Sequence, residues 1–188
     1  MKQCFGMEGI MENKNWMQES MEKAQVGRLL ETNQYTERYG LILSEEDANL
    51  LVAERKEVLK EQRRVEFGNS ILPKIIYAFC DSSYIYQDNY VEMMTRLQEI
   101  FYSYKNEMLD EITDEELIYF MKEQFEGNCF GDLEYLESTC LAIFGQAIRA
   151  GYRGYQRTKG KDEYRQFDEV VRWDKELYLE VLNELCGR

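Results

Sequence analysis

The sequence predicts an all-α protein, a single-domain bundle of about six or seven helices, and three observations lead there. One proline stands in 188 residues, so almost nothing in the chain forbids helix. Glu, Leu and Tyr are abundant, as in helical proteins rather than sandwiches. Apolar residues recur at helical spacing, most clearly in the second half of the stretch from Val65 to Glu107, around which the chain is organised. There Tyr90, Met94, Leu97, Phe101, Tyr104 and Met108 follow at steps of four, three, four, three and four, which is one helix face. About three heptads with Tyr and Met among them suit the central helix of a globular bundle better than a coiled-coil seam. On the other side Glu92 and Arg96 are spaced i,i+4 for a surface ion pair.

Taken in order, residues 1–14 show no period and are expected to form a flexible segment ahead of a helical domain, 15–188. From Asn15 to about Thr32, Trp16, Met17, Met21, Ala24 and Leu30 suggest a first helix. The following QYTERYGLIL alternates poorly and reads as an extended arm, with Leu41, Ile42 and Leu43 laid on the bundle. It finds no second strand to pair with. Ser44 then caps a helix from Glu45 to about Gln62, with three acids in its first turn opposing the macrodipole. Ala48, Leu51, Val52, Val58 and Leu59 form its core face, and Arg55 projects from the middle of that face, where arginine is unexpected.

Gly68, Asn69 and Ser70 read as a turn, and Pro73 falls in the first turn of a short helix ending near Cys80. Asp81-Ser82-Ser83 breaks the chain before the heptad helix. Thr113 with Glu116 makes a capping box that opens a helix ending near Gly127, with Leu117, Phe120, Met121 and Phe125 inward. Asp132 caps the next helix, whose apolar face is Leu133, Leu136, Cys140, Ile143 and Ala147. A last helix is expected from about Asp162 to Leu185, with Asp174 near the centre of its broad apolar face.

Composition closes several chemistries. No histidine is present, which removes Ser-His and Cys-His catalysis, Glu-x-x-His di-iron sites and the commonest metal ligand. Five cysteines, Cys4, Cys80, Cys129, Cys140 and Cys186, form an odd set without CxxC, so neither a disulfide framework nor a zinc site is indicated. No cofactor or metal is expected. A net charge of −13 disfavours nucleic acid and anionic membranes. No apolar run reaches membrane-spanning length and the first residues lack a secretory core, so the expected location is the cytoplasm.

Four motifs carry a resemblance: Val65-Glu-Phe-Gly68; Phe79-Cys-Asp-Ser82 with Tyr84; Leu97-Gln-Glu-Ile-Phe-Tyr102 with Lys105-Asn-Glu107; and Glu116-Leu-Ile with Phe120-Met-Lys-Glu123. With them the chain resembles an uncharacterised family of helical domain-of-unknown-function proteins of Gram-positive anaerobes, from about Leu43 to the C-terminus. The resemblance implies a cytoplasmic bacterial protein and transfers no site residue.

Three groups of residues are candidates. Arg55 and Asp174 lie on the core faces of different helices, so each needs a partner. They form either the floor of a pocket in which Arg55 holds a carboxylate or phosphate, or a buried ion pair of Arg55 with Asp174, Glu66 or Glu107. The segment 149–161 interleaves Arg149, Arg153, Arg157, Lys159 and Lys161 with Tyr152 and Tyr155, a mixture suited to an acidic partner, to the chain's own acidic helices or, less well, to nucleic acid. Cys129, ahead of the helix that Asp132 begins, is the candidate reactive thiol. Fourteen tyrosines suit amphipathic packing at the core's edge or an aromatic protein-binding surface. The first functional expectation is a non-enzymatic protein that binds another protein or a second copy of itself, through the groove around 65–90 and the loop 149–161. An enzyme or small-molecule binder built on Arg55 and Asp174 is the alternative.

Overall fold

The structure is a computed structural model that describes residues 8–66, 70–151, 155–157 and 171–173. It is an all-α bundle: α1 (Glu8–Glu31), α2 (Asn33–Thr36), α3 (Glu45–Glu61), α4 (Leu72–Phe79), α5 (Tyr90–Glu107), α6 (Asp114–Gly127), α7 (Leu133–Tyr135) and α8 (Ala142–Arg149). A π-helical segment, Leu136–Leu141, joins α7 to α8.

The helix starts follow their caps. The Ser44 hydroxyl accepts the Asp47 amide while the Asp47 carboxylate accepts the Ser44 amide, and Thr113 with Glu116 closes the same reciprocal pair at α6. The Asp132 carboxylate takes the Tyr135 amide. Pro73 sits in the first turn of α4, where its missing N–H costs nothing.

The heptad face is the spine of the core. Tyr90, Met94, Leu97, Phe101, Tyr104 and Met108 are all buried, and so are Gln98, Ile100, Tyr102 and Lys105 on the flanks of α5. Around it pack α3, α4 and α6. Phe79 and Tyr84 meet Phe125 edge to face at 5.6 and 5.8 Å, and Phe120 stacks on Phe144 at 3.8 Å.

Several local expectations are corrected. Helix α1 begins at Glu8, ahead of Asn15, and its described side chains begin at Glu19, which leaves Trp16 and Met17 outside them. Among its described side chains the core residues are Val26 and Leu29, whereas Met21 and Ala24 are exposed. The stretch 33–39 is helical, α2 followed by a 3₁₀ turn Glu37–Tyr39, and Gly40 ends it at φ 75°. Only 41–44 is extended there, with Leu41 and Leu43 inward and Ile42 outward. That arm has side-chain amides where a sheet would supply a strand. Asn33 donates to the Leu43 carbonyl and accepts its amide, both at 2.8 Å, and Gln87 does the same for Ile42 at 2.9 and 2.8 Å. Arg96 pairs with Glu99 and Glu137 rather than with Glu92.

The final helix expected over 162–185 is contradicted at its centre. Val171–Trp173 is a strand (β2), antiparallel to Tyr155–Arg157 (β1), with Tyr155 opposite Trp173 and Arg157 opposite Val171. Val, Trp and Tyr are strand formers, and an apolar run that short fits either structure by periodicity alone. A two-stranded ribbon is marginal by itself, and β2 runs close to α6. The rest of the expected helix lies outside the described residues.

The capping box at α6 gives a direct test. Thr113→Ala removes the acceptor for the Glu116 amide and is expected to lower unfolding free energy by about 1 kcal/mol in urea titration, with the m-value unchanged.

Candidate functional site

Arg55 comes to the core because α3 presents Val52, Arg55 and Val58 along one buried face. It is 5% exposed, and a guanidinium there is tolerable only if its donors are met. Its Nε donates to Glu66 Oε2 at 2.8 Å, a terminal nitrogen donates to the same oxygen, and the other reaches Gln25 Oε1 on α1 at 3.2 Å. Glu66 Oε2 also accepts the Tyr102 hydroxyl of α5 at 2.8 Å, and Oε1 accepts the Ile71 amide at 2.9 Å, just before α4. Burial, followed by the Glu66 charge and hydrogen bond, pushes the Tyr102 hydroxyl far above its ordinary range, so Tyr102 remains a donor. The cluster joins α1, α3, the connection to α4, and α5. Both Glu66 oxygens have protein partners within it.

Glu107 is not brought to this cluster. It accepts Arg149 from the end of α8 at 2.6 Å, and the same nitrogen reaches the Glu107 carbonyl at 3.3 Å. Asp174 lies outside the described residues, as do Tyr152, Arg153, Lys159 and Lys161; Tyr155 and Arg157 are described only as backbone of β1. Of the basic segment, Arg149 alone has a described contact, and it is to the chain's own acidic helix.

A second polar cluster holds the turn after α5. Arg64 donates to Asn106 at 2.6 Å and to both oxygens of Asp110 at 3.3 and 2.8 Å. Asn106 in turn donates to the Gln62 carbonyl, and buried Lys105 bonds the Ile112 carbonyl and Asp114. The hydrogen bond from Arg64 is the main cause that holds the Asp110 carboxyl below the ordinary aspartate range. Leu109 and Asp110 both adopt left-handed φ here, at 53° and 58°.

Cys129 is the candidate whose chemistry the structure turns around. It is 5% exposed, and burial, then the hydrogen bond and charge of Cys140, push its thiol up to about 12, opposite to the activation expected from a helix N-terminus. Asp132 caps α7 as expected and its negative charge adds to the rise. The Cys129 and Cys140 sulfurs lie 3.6 Å apart. Among the described residues, no three His, Cys, Asp or Glu side chains gather as a metal site, and no described helix is long and apolar enough to cross a membrane.

One feature escaped the sequence reading. The Tyr35 ring lies between the Arg38 guanidinium, 3.4 Å from its centroid, and Tyr77 of α4, edge-on at 5.4 Å; Tyr39 stands 6.0 Å away. Arg38, Tyr39 and Tyr77 are exposed. The i,i+4 spacing of Tyr35 and Tyr39, with Arg38 beside them, was a helical signal, hidden by reading this stretch as extended.

Two measurements check the polar clusters. Arg55→Ala leaves the largely buried Glu66 carboxylate without its counter-charge and is expected to cost about 3–5 kcal/mol in chemical unfolding, against about 1 kcal/mol for Tyr102→Phe. Asp110→Asn keeps the shape and tolerates the left-handed backbone, so it isolates the charge. Because the folded carboxyl titrates below its unfolded value, the stabilisation it gives is complete above the ordinary aspartate range and is lost as pH falls through the folded value. The pair is half exposed, so the wild-type advantage is expected to be about 0.5 kcal/mol at neutral pH and to shrink as titrations are carried to acid, through the lowered folded value.

No curated protein and no solved structure matches the chain. Residues 28–154 match a protein family, a stretch that starts within α1 rather than at Leu43 and stops short of the C-terminus. It contains Arg55, Glu66, Tyr102, the buried Cys80, Cys129 and Cys140 and the Tyr35–Tyr77 cluster, and excludes Asp174. The chain therefore belongs to the family of unknown function DUF6323.

Proposed function

We propose that this is a non-enzymatic helical protein that binds another protein, and that the surface of Tyr35, Arg38, Tyr39 and Tyr77 is where it does so. The observation that carries the reading is the exposed arginine stacked on an aromatic cluster. Tyr and Arg are enriched among the residues that dominate binding energy at interfaces, Tyr because it buries large area with two rotors and Arg because its planar fork matches a carboxylate. Arg38 lies over the Tyr35 ring, is exposed and forms no ion pair among the described residues, so its fork is free for a carboxylate. Ile42, which Gln87 holds by its amide, and Tyr86 are further exposed apolar side chains. The partner that fits places an acidic side chain beside an apolar or aromatic one.

The alternative of a ligand pocket floored by Arg55 has less support, because Glu66 and Gln25 already occupy that guanidinium. The test is a comparison of tagged wild type with the double variant Arg38→Glu, Tyr77→Ala in affinity purification from the native host. Hot-spot losses of about 2 kcal/mol or more predict at least tenfold less of a specific partner on the variant, with thermal stability retained. Equal recovery on both proteins would move the interface elsewhere.

A further inference from the structure

We infer that Cys129 and Cys140 form a site of reversible oxidation, closing to an intramolecular disulfide with hydrogen peroxide or a related small peroxide as the oxidant. Their sulfurs are in contact at 3.6 Å, and closing to a bond requires about 1.5 Å of further approach.

The two backbones differ in how they can supply it. Cys129 is fixed: its amide donates to the Gln124 carbonyl and its carbonyl accepts the Asp132 amide, both in the turn that ends α6. Gly131 in the same turn is seated against Tyr84, where a Cβ would lie 2.5 Å from the ring, so the loop cannot shift freely. Cys140 lies in the π-helical segment Leu136–Leu141, whose wider turn and weaker ladder absorb small changes more readily than α-helix. The motion is therefore assigned to Cys140. Cys140 is also the more exposed residue, at 9% against 5%, and the thiol–thiol hydrogen bond, in which either sulfur can donate, adds to the upward shift of Cys129 and opposes that of Cys140, which favours ionisation of Cys140 over its neighbour.

The chemistry balances in two steps. Cys140 loses its proton and attacks one peroxide oxygen; an S–O bond forms, the O–O bond breaks, and the released hydroxide takes up that proton as water. The Cys129 sulfur then attacks the Cys140 sulfenic acid; the S–S bond forms, the S–O bond breaks, and hydroxide leaves with the Cys129 proton as a second water. Each sulfur gives up one electron and the peroxide gains two. Burial keeps both thiols mostly protonated, so the reaction is slow and needs sustained oxidant.

The test uses the whole reduced protein, treated with hydrogen peroxide and then alkylated. Cleavage at Lys122 and Arg149 releases residues 123–149, which hold these two cysteines and no other. The expected product is that peptide unalkylated and lighter by two hydrogens, with its halves still joined after further cutting at Glu134 and Glu137, and restored by dithiothreitol. In Cys129→Ser, dimedone is expected to label Cys140. Full alkylation of both cysteines after peroxide, irreversible sulfur acids without an S–S bond, or a disulfide from either sulfur to another cysteine would each overturn the assignment.

Discussion

A helix that lies inside a bundle on nearly every side has to find partners for each polar group it carries, since one left dry costs about 1–3 kcal/mol. α5 carries Gln98, Tyr102, Tyr104 and Lys105 at buried positions, and three of these are met from different directions. Tyr102 donates to Glu66 in the α3–α4 connection, Tyr104 to the Glu137 carbonyl in the π-helical segment, and Lys105 to the Ile112 carbonyl and Asp114 at the entry to α6. The apolar residues of α5 thus locate the neighbouring helices, and its polar residues locate the connections between them. Burial and the acidic neighbours Glu107 and Glu137 push the Tyr104 hydroxyl up to about 12, which keeps it a donor. Gln98 and Tyr90 stand apart, both wholly buried, with neither amide atom of Gln98 nor the Tyr90 hydroxyl hydrogen-bonded among the described residues.

The same logic governs the cations. Arg64, Lys74, Arg96, Lys122 and Arg149 each bind a carboxylate 41–46 residues away, crossing from one element to another. Partly exposed pairs of this kind contribute about 0–1 kcal/mol each, so their effect is on orientation more than on stability. Arg55 differs in degree: with its pair buried, removing either partner is costly even where making the pair brought little net gain. Its place in the core is explained by the Glu66 connection it anchors.

Much of this architecture was legible because it is local. Ser44, Thr113 and Asp132 announce their helices through bonds within three residues, and the α5 heptad states its own buried face. Arg55 was visible as an anomaly, and Glu66 was one of three named partners; which one required knowing how the chain turns between α3 and α4. What stayed hidden depends on contacts far apart in sequence. Nothing within 33–43 says that Asn33 and Gln87 will satisfy an extended arm, and nothing in the run from Leu136 to Leu141 distinguishes π-helix from α-helix by apolar spacing. Cys129 failed for a related reason. The helix N-terminus ahead of it was read correctly, but desolvation and the second sulfur outweigh a helix dipole.

These considerations meet at Arg38. An acidic chain has carboxylates to offer every cation, and α3, α4, α5, α6 and α8 use them for that purpose. Arg38 instead lies over the face of Tyr35, which is itself braced by Tyr77 of α4. Stacking satisfies the face of a guanidinium and leaves its in-plane donors outward, an arrangement that a lysine ammonium, with no face to stack, cannot adopt. Arg38 lies within the 3₁₀ turn Glu37–Tyr39, and left-handed Gly40 closes that turn, which sets the backbone from which the side chain projects. An arginine stacked in this way, on an aromatic pair rather than on a carboxylate, is what supports the proposed binding of an external acid.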